Sequence, residues 1–218
     1  RQQTPAPSKQ QGPPLPKNVI DATRWLRPDG SQHGLRTQIF ESGDSRGTPT
    51  RISRVEFPGA LSTHILSPQH IDLDGDTLTE FDPRTFFGEA MVMRFRVTAD
   101  NSVIGPAEIQ AGGGGAMQSG DIVILNNRAG AEFVPTVTPQ AAKWLIDIGV
   151  KLVAFDEHIN IGEGDPSPTV KAFLDAGVPI IRNLVNLDQV RSERVALMAL
   201  PLAVYGLVSS PCRVILLD

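Results

Sequence analysis

Two histidines six residues apart, His64 and His70, stand in the segment Pro58-Gly-Ala-Leu-Ser-Thr-His64-Ile-Leu-Ser-Pro-Gln-His70. Imidazole titrates near neutral pH, so either side chain is suited to take or give a proton. A third histidine, His158, follows Asp156 and Glu157 at the end of the apolar run Val150 to Phe155. Polar residues at the end of a buried strand occupy a place where α/β folds commonly build sites. Glu157 and His158 are therefore candidate partner bases, although a solvated strand end would account for them as well. His64 and His70 have plain readings too. Ser62-Thr63-His64 can form a structural turn, and His70 can cap a loop. His33 lies among Gly and Ser and reads as surface. Cys212 is the only cysteine, which excludes an intrachain disulfide and a Cys-rich zinc site. Its apolar strand context reads as a buried, inert thiol rather than a nucleophile. Gly112 to Gly115 form a glycine run, but Met117-Gln118 follow where a phosphate-cradling loop needs Lys-Ser/Thr. The run reads as a mobile turn before a strand.

The elements that would hold these residues follow from periodicity. Asn18 to Trp25 reads as a first strand entering a loop, and Asp29 to Thr50, rich in Gly, Ser, Asp and Thr, as mostly loop. Arg51 to Phe57 reads as a short strand. Phe86 to Val97 alternates strongly through Met91, Met93, Phe95 and Val97, as a strand does. Gly120 to Leu125 reads as a turn into a buried strand. Thr138 to Ile148 carries Ala141, Ala142, Leu145 and Ile148 on one side, with Thr138 as N-cap. Val150 to Phe155 and Val178 to Ile181 read as strands flanking a helix, Pro168 to Ala176, that Gly177 closes. Leu187 to Val190 reads as a short turn or helix, and Val195 to Leu200 and Val214 to Leu217 as final strands. Strands come first, then strands and helices alternate, which predicts an α/β domain with a sheet core.

Arg1 to Lys17 holds five prolines and four glutamines, with Leu15 its only large apolar residue. It cannot bury enough apolar surface to offset its ordering entropy, and reads as a flexible arm. The formal net charge is -4, with no basic run, which argues against a nucleic-acid partner. No apolar run approaches the roughly 18–20 residues that span a membrane. The expected setting is cytoplasmic rather than secreted, although a chain beginning at Arg1 leaves the compartment open.

The segment Ala60 to His70 resembles the signature of the cyclase, or kynurenine-formamidase-like, hydrolase family, His-x-Gly-Thr-His-x-Asp-x-Pro-x-His. Thr63, His64, Pro68 and His70 match it. Gly120-Asp121-Ile-Val-Ile-Leu125, Ala172 to Leu187 and Ser209-Ser-Pro-Cys-Arg213-Val resemble three further family segments in the same order. The resemblance implies a swivelling β/β/α fold, a single cyclase-like α/β domain over residues 18–218 with a mixed sheet core. It also implies a homodimer or tetramer and a small-molecule substrate.

In such proteins two histidines and the aspartate of the signature, with later histidines and a glutamate, bind one or two divalent metals. Here those positions carry Ala60, Leu66, Val170 and Arg182, and only His64 and His70 remain. Alanine, leucine and valine offer no lone pair, and a guanidinium repels a cation. The departures imply a degenerate metal site, no cofactor, and proton chemistry by His64 and His70. Arg182 would hold a carboxylate or oxyanion, and Glu157 or His158 would serve as base. Such an enzyme would cyclise, dehydrate, isomerise or hydrolyse a small carbonyl compound, with specialised metabolism as the expected setting. The rivals are a non-catalytic member that binds a ligand or partner or serves as a structural subunit, and a metallohydrolase rebuilt with Asp72, Asp74, Asp156, Glu157 or His158.

Overall fold

The computed structural model describes residues 18–28, 32–43, 49–99, 101–164 and 166–218. The expected arm, residues 1–17, lies outside the described residues.

The chain opens with β1 (Val19–Asp21) and an antiparallel hairpin of β2 (Arg36–Gly43) and β3 (Pro49–Glu56). Then come the short β4 (His64–Leu66), the long β5 (Phe87–Phe95) and the two-residue β6 (Val103–Ile104). After α1 (Pro106–Ala111) follow β7 (Ile122–Asn127), β8 (Thr136–Val137), α2 (Pro139–Ile148) and β9 (Leu152–Asp156). The remaining elements are α3 (Pro168–Asp175), β10 (Ile180–Leu184), β11 (Arg194–Met198), β12 (Ser209–Pro211) and β13 (Ile215–Leu217).

Nine strands join one mixed sheet in the order β1-β13-β11-β5-β7-β9-β10-β4-β12. Its centre, β5-β7-β9-β10, is parallel, and the flanking pairs are antiparallel. Alternation sends Met91, Met93 and Phe95 of β5 into a core with residues of all three helices, such as Ile109, Leu145 and Phe173. Ala90 and Val92 face the other way, into a second core with Ile20, Val195 and Leu216 of the flanking strands. No α-helix supplies that second core, so the sheet curls until its own outer strands fill it. This is a mixed α/β domain, as the sequence predicts.

Helix starts follow local chemistry. Thr138 Oγ1 accepts from the Ala141 N–H at 3.2 Å, and Ser167 Oγ accepts from the Val170 N–H at 3.3 Å. Each cap precedes a proline at the first helical position, where a missing N–H costs nothing. No helix among the described residues is long and apolar enough to cross a membrane.

The structure adds to or corrects three sequence readings. Among the described residues of the stretch Asp29 to Thr50, read as mostly loop, most lie in β2 and the start of β3. Ile39 and Phe40 are adjacent, and every residue of both strands is exposed, so no period-two burial marks them. The helix α1 was not expected, being only six residues long. The glycine run is a turn, as expected, but Gly114 within it is buried and tightly enclosed. A Cβ on Gly114 would sit 2.7 Å from the Ile109 carbonyl oxygen and 2.9 Å from the Trp144 ring.

Candidate active site

The buried strand β4 lies between β10 and β12. Its register sets Arg182 opposite His64 and Ile180 opposite Leu66. Ile65 points into the second core, while Leu66 and Ile180 join the helix-side core. By alternation His64 and Arg182 share the helix-covered face with them.

A small network fixes β4 at its start. Ser62 takes a left-handed conformation, φ +59°, and its hydroxyl donates to the Arg24 carbonyl. Thr63 Oγ1 donates to the Asn183 carbonyl at 2.6 Å and accepts from the Arg24 N–H at 2.8 Å. Asn183, itself at φ +61°, donates its amide to the Ser62 carbonyl at 2.8 Å. His64 Nδ1 lies 2.8 Å from that same oxygen. A carbonyl only accepts, so Nδ1 carries the proton and Nε2 keeps the lone pair. The structural turn read at Ser62-Thr63-His64 is thus present, and it orients the ring.

His70 ends a 3₁₀ turn, Pro68–His70. With Leu66, Ile161, Ser167, Val170 and Arg182 it lines a cavity of about 150 Å³. The loop beside it is held where Ser167 donates its hydroxyl to the Ile161 carbonyl. Of the six positions that the resemblance assigns to metal ligands, the structure therefore brings His70, Leu66, Val170 and Arg182 to one cavity, with His64 beside Arg182. Ala60 sits apart in an exposed turn.

Burial is the main cause that pushes the His64 pKa down to about 4, and the charges of Arg182 and His70 push it further. The Ser62 carbonyl opposes them. With its pKa held near 4, the His64 ring is neutral at pH 7.

Glu157 and His158 line a different crevice, of about 260 Å³, at the carboxyl ends of β7, β9 and β10. Glu157 pairs with Arg24 at 3.2 Å. The Asp156 carboxylate accepts from the His158 N–H at 2.8 Å and lies 3.4 Å from the His158 ring. Burial raises the Asp156 pKa, against hydrogen bonds from the backbone and the pull of His158. The structure thus separates Glu157 and His158 from the cavity of His70 and Arg182. Cys212 is buried, and burial raises its thiol to about 12. His33 is exposed.

Sequence reasoning missed Arg24, whose main chain braces Ser62 and Thr63 and whose side chain holds Glu157. It also missed Ser167, which shapes the cavity wall. Nothing local marks Arg24, because its partners come 38 residues later and beyond. Ser167 before Pro168 is a readable helix cap, but not a readable site residue.

The chain matches the Cyclase family model, described as "Putative cyclase", over residues 9–159, and it belongs to that family. It is 28% identical over 213 residues to kynurenine formamidase from Salinibacter ruber (strain DSM 13855 / M31), covering 92% of this chain and 97% of that protein. Kynurenine formamidase from Erythrobacter litoralis (strain HTCC2594) is 26% identical over 178 residues, 78% of each chain. The fold also matches isatin hydrolase A from Labrenzia aggregata bound to benzyl benzoate, with a TM-score of 0.75 and 21% identity. That match covers 91% of this chain and 93% of the hydrolase. The chain is a cyclase-family, hydrolase-like enzyme.

Proposed function

We propose that this enzyme acts without a divalent metal on a small carbonyl compound, with an amide, lactam or lactone as the reacting bond. One observation carries the reading: Leu66, Val170 and Arg182 line the His70 cavity where the resemblance expects ligands. A zinc site wants three or four His, Cys or carboxylate donors. Among the described residues no three such side chains are grouped to hold an ion. Two imidazoles beside a guanidinium do not fit a divalent cation, so the site is read as degenerate.

In this reading Arg182 supplies the positive charge. It stabilises the oxyanion that forms when a carbonyl is attacked, through a charge-assisted hydrogen bond. His70 takes a proton from the attacking water and returns it to the leaving nitrogen or oxygen. His64, neutral and proton-bearing at Nδ1, presents the Nε2 lone pair as a fixed acceptor. The cavity, about 150 Å³, holds a carbonyl group and a water of about 30 Å³, leaving the rest of a substrate outside. The formamide and isatin chemistries in the names of the relatives are the first substrates to try. Residues 1–17 are read as an arm, and the chain as a homo-oligomer.

The test is turnover of a formamide, lactam and lactone panel by protein purified without chelator, with metal content measured in parallel. Activity that persists in chelator and falls about 100-fold or more in His70→Ala and Arg182→Ala supports the reading. Near one equivalent of zinc or manganese per chain, with activity lost to chelator, would overturn it.

A further inference from the structure

Among the described residues, four that are not glycine stand on left-handed backbone: Ser62, Asn101, Asn183 and Asn186. Asparagine tolerates that conformation best, because its short amide can bond locally. Ser62 is the exception, and a hydrogen bond joins it to Asn183 beside the buried ring of His64. Backbone strain of this kind persists only where the surroundings over-determine it, and it gathers at functional sites.

The surroundings of this pair do over-determine it. The β10–β4 ladder ends where Arg182 meets His64, and the register of β10 against β9 shifts between Ile181 and Leu184. A bulge of this kind re-aims a side chain, and here it lets Asn183 reach back past the end of the ladder. The Asn183 amide donates to the Ser62 carbonyl at 2.8 Å, while the Asn183 carbonyl accepts from Thr63 Oγ1 at 2.6 Å. Two bonds in opposite senses thus clasp the Ser62–Thr63 peptide to one residue. Arg24 closes the far side, its N–H donating to Thr63 Oγ1 and its carbonyl accepting from the Ser62 hydroxyl. A carbonyl oxygen has two lone pairs. That of Ser62 accepts from Asn183 Nδ2 with one and from His64 Nδ1 with the other, each at 2.8 Å. Which ring nitrogen keeps its lone pair is set by the bond that the other makes. The Ser62 oxygen therefore selects the tautomer of His64, but only while it points at Nδ1.

We propose that Asn183 is a positioning residue: through the shared Ser62 carbonyl it holds His64 as the Nδ1-protonated tautomer, with the Nε2 lone pair fixed as an acceptor. The inference rests on the reading above, in which His64 presents that lone pair, and it names the residue that controls it. Ser62 contributes the oxygen, and Asn183 aims it. Asn183 is not among the residues that line the His70 cavity, so its influence on the reaction passes through the His64 ring. Its left-handed backbone is what lets one residue donate from the side chain to Ser62 and accept on the main chain from Thr63. Without the amide, the Ser62 carbonyl is free to turn away, and the buried ring loses the partner that distinguishes its two nitrogens.

The test is long-range proton–nitrogen NMR correlation of the imidazole rings in the full-length protein at pH 7. The chain has four histidines, and His64 is assigned as the ring missing from His64→Asn. Wild type should show a single tautomer there, with a protonated Nδ1 and a bare Nε2. Asn183→Gly removes the amide and keeps the left-handed backbone without strain. Asn183→Asp keeps the shape and puts an acceptor where the donor was. Both should lose the single-tautomer pattern at His64. In Asn183→Gly, kcat on the best substrate of the panel should fall about 10-fold to 100-fold with KM within about threefold, as for a misplaced reacting group. Thr63→Val is the comparator. It removes two hydrogen bonds of the same network but leaves the Ser62 carbonyl both of its partners. It should lower the melting temperature and keep the wild-type tautomer. A wild-type ring with a bare Nδ1 or mixed tautomers, an unchanged ring in both Asn183 variants, or an equal change in Thr63→Val would overturn the positioning role. The spectrum reads the ring without turnover, so it is separate from the reading it rests on. Activity lost to chelator, with the spectra as expected, would overturn metal-free chemistry and leave the role of Asn183 standing.

Discussion

Two buried titratable side chains sit at two places on one sheet, and burial treats them in opposite senses. His64, on the helix-covered face, is pushed down to about 4, so its imidazole is neutral. Asp156, at the strand ends, is pushed up, toward a neutral carboxyl. Desolvation disfavours the charged form in both. The neighbours differ. Around His64 the other charges, Arg182 and His70, repel a proton, so they add to burial. Around Asp156 the His158 ring and two backbone hydrogen bonds favour the carboxylate and oppose burial. One region therefore sets the Arg182 guanidinium beside His70 in a small cavity, while the other pairs its carboxylates with Arg24 and His158 around a polar crevice. A guanidinium lining a small cavity suits a developing oxyanion. A balanced crevice suits a structural strand end, where Asp156 closes a turn on the His158 N–H.

The most direct way to break this contrast is to remove one charge from each region. Arg182→Ala should lower kcat/KM by about 100-fold or more, as loss of an oxyanion donor does, while His158→Ala should change it by less than about threefold. Steady-state kinetics on the best substrate of the panel decides. If His158→Ala causes the larger loss, the chemistry belongs to the strand-end crevice and the contrast is inverted.

A second experiment asks whether the helix-face cavity differs from a metal site only by its side chains. Leu66→Asp together with Arg182→Glu would place two carboxylates beside His64 and His70. Without metal the variant should be destabilised, because Leu66 is buried and a buried carboxylate is costly. Zinc at 100 times its Kd should return about 2.7 kcal/mol, a rise in melting temperature of about 5–10 °C. Wild type should move by less than about 1 °C, since its donor set does not fit the ion. A large zinc shift in wild type would mean that ligands are recruited from elsewhere.

The pH dependence sharpens the comparison at lower amplitude. In the unfolded chain the His64 imidazole protonates at its ordinary value, 6.5, but in the fold only near about 4. Between those values the unfolded chain binds the extra proton. The contribution of His64 is therefore intact above pH 6.5, erodes as pH falls, and is gone below about 4. From pH 7 to pH 5 the loss should be about 2 kcal/mol. Asp156 works in the other sense, because its folded pKa lies above 3.8. Its contribution is present below that value and is lost as pH rises through the folded pKa. Urea denaturation at pH 7 and pH 5 should give a clearly smaller difference for His64→Asn than for wild type. An unchanged difference would mean that another group carries the acid sensitivity.

How far the sequence revealed these regions depends on how local the cause is. Alternation marks β5, and Thr138 and Ser167 before prolines mark the starts of α2 and α3, because caps and pleats act over a few residues. The substitutions at Leu66, Val170 and Arg182 were readable from motif spacing. Their meeting at one cavity, across more than 100 residues, is set by the β10–β4 register. The neutral state of His64 was not readable, because it comes from burial within the folded sheet and from the charges of Arg182 and His70. Nor was the separation of Glu157 from His70. Both stand near strand ends in the sequence, and only the strand order and the positions along β9 and β4 assign them to different cavities. Of the β2–β3 hairpin only Arg51 to Phe57 was read as a strand; β2, exposed along its whole length, carries no burial pattern to read and was taken as loop.

The smallest expected effect concerns Glu157, the residue on which the separation of the two regions turns most finely. Its carboxylate pairs with Arg24 at 3.2 Å, with the side chains 56% exposed on Arg24 and 25% on Glu157. Such a pair is screened by water, and Glu157→Gln should cost about 0.2–1 kcal/mol, less at high salt. The glutamine can still accept from the guanidinium, so the main-chain bonds from Arg24 to Ser62 and Thr63 should survive, and with them the orientation of His64. Turnover should stay within about twofold of wild type. The comparison is between Glu157→Gln and Arg24→Ala, each measured for turnover and for stability at low and high salt. A catalytic base at Glu157 would instead give a deep loss of turnover in Glu157→Gln with stability almost unchanged. That single result would join the two regions into one site.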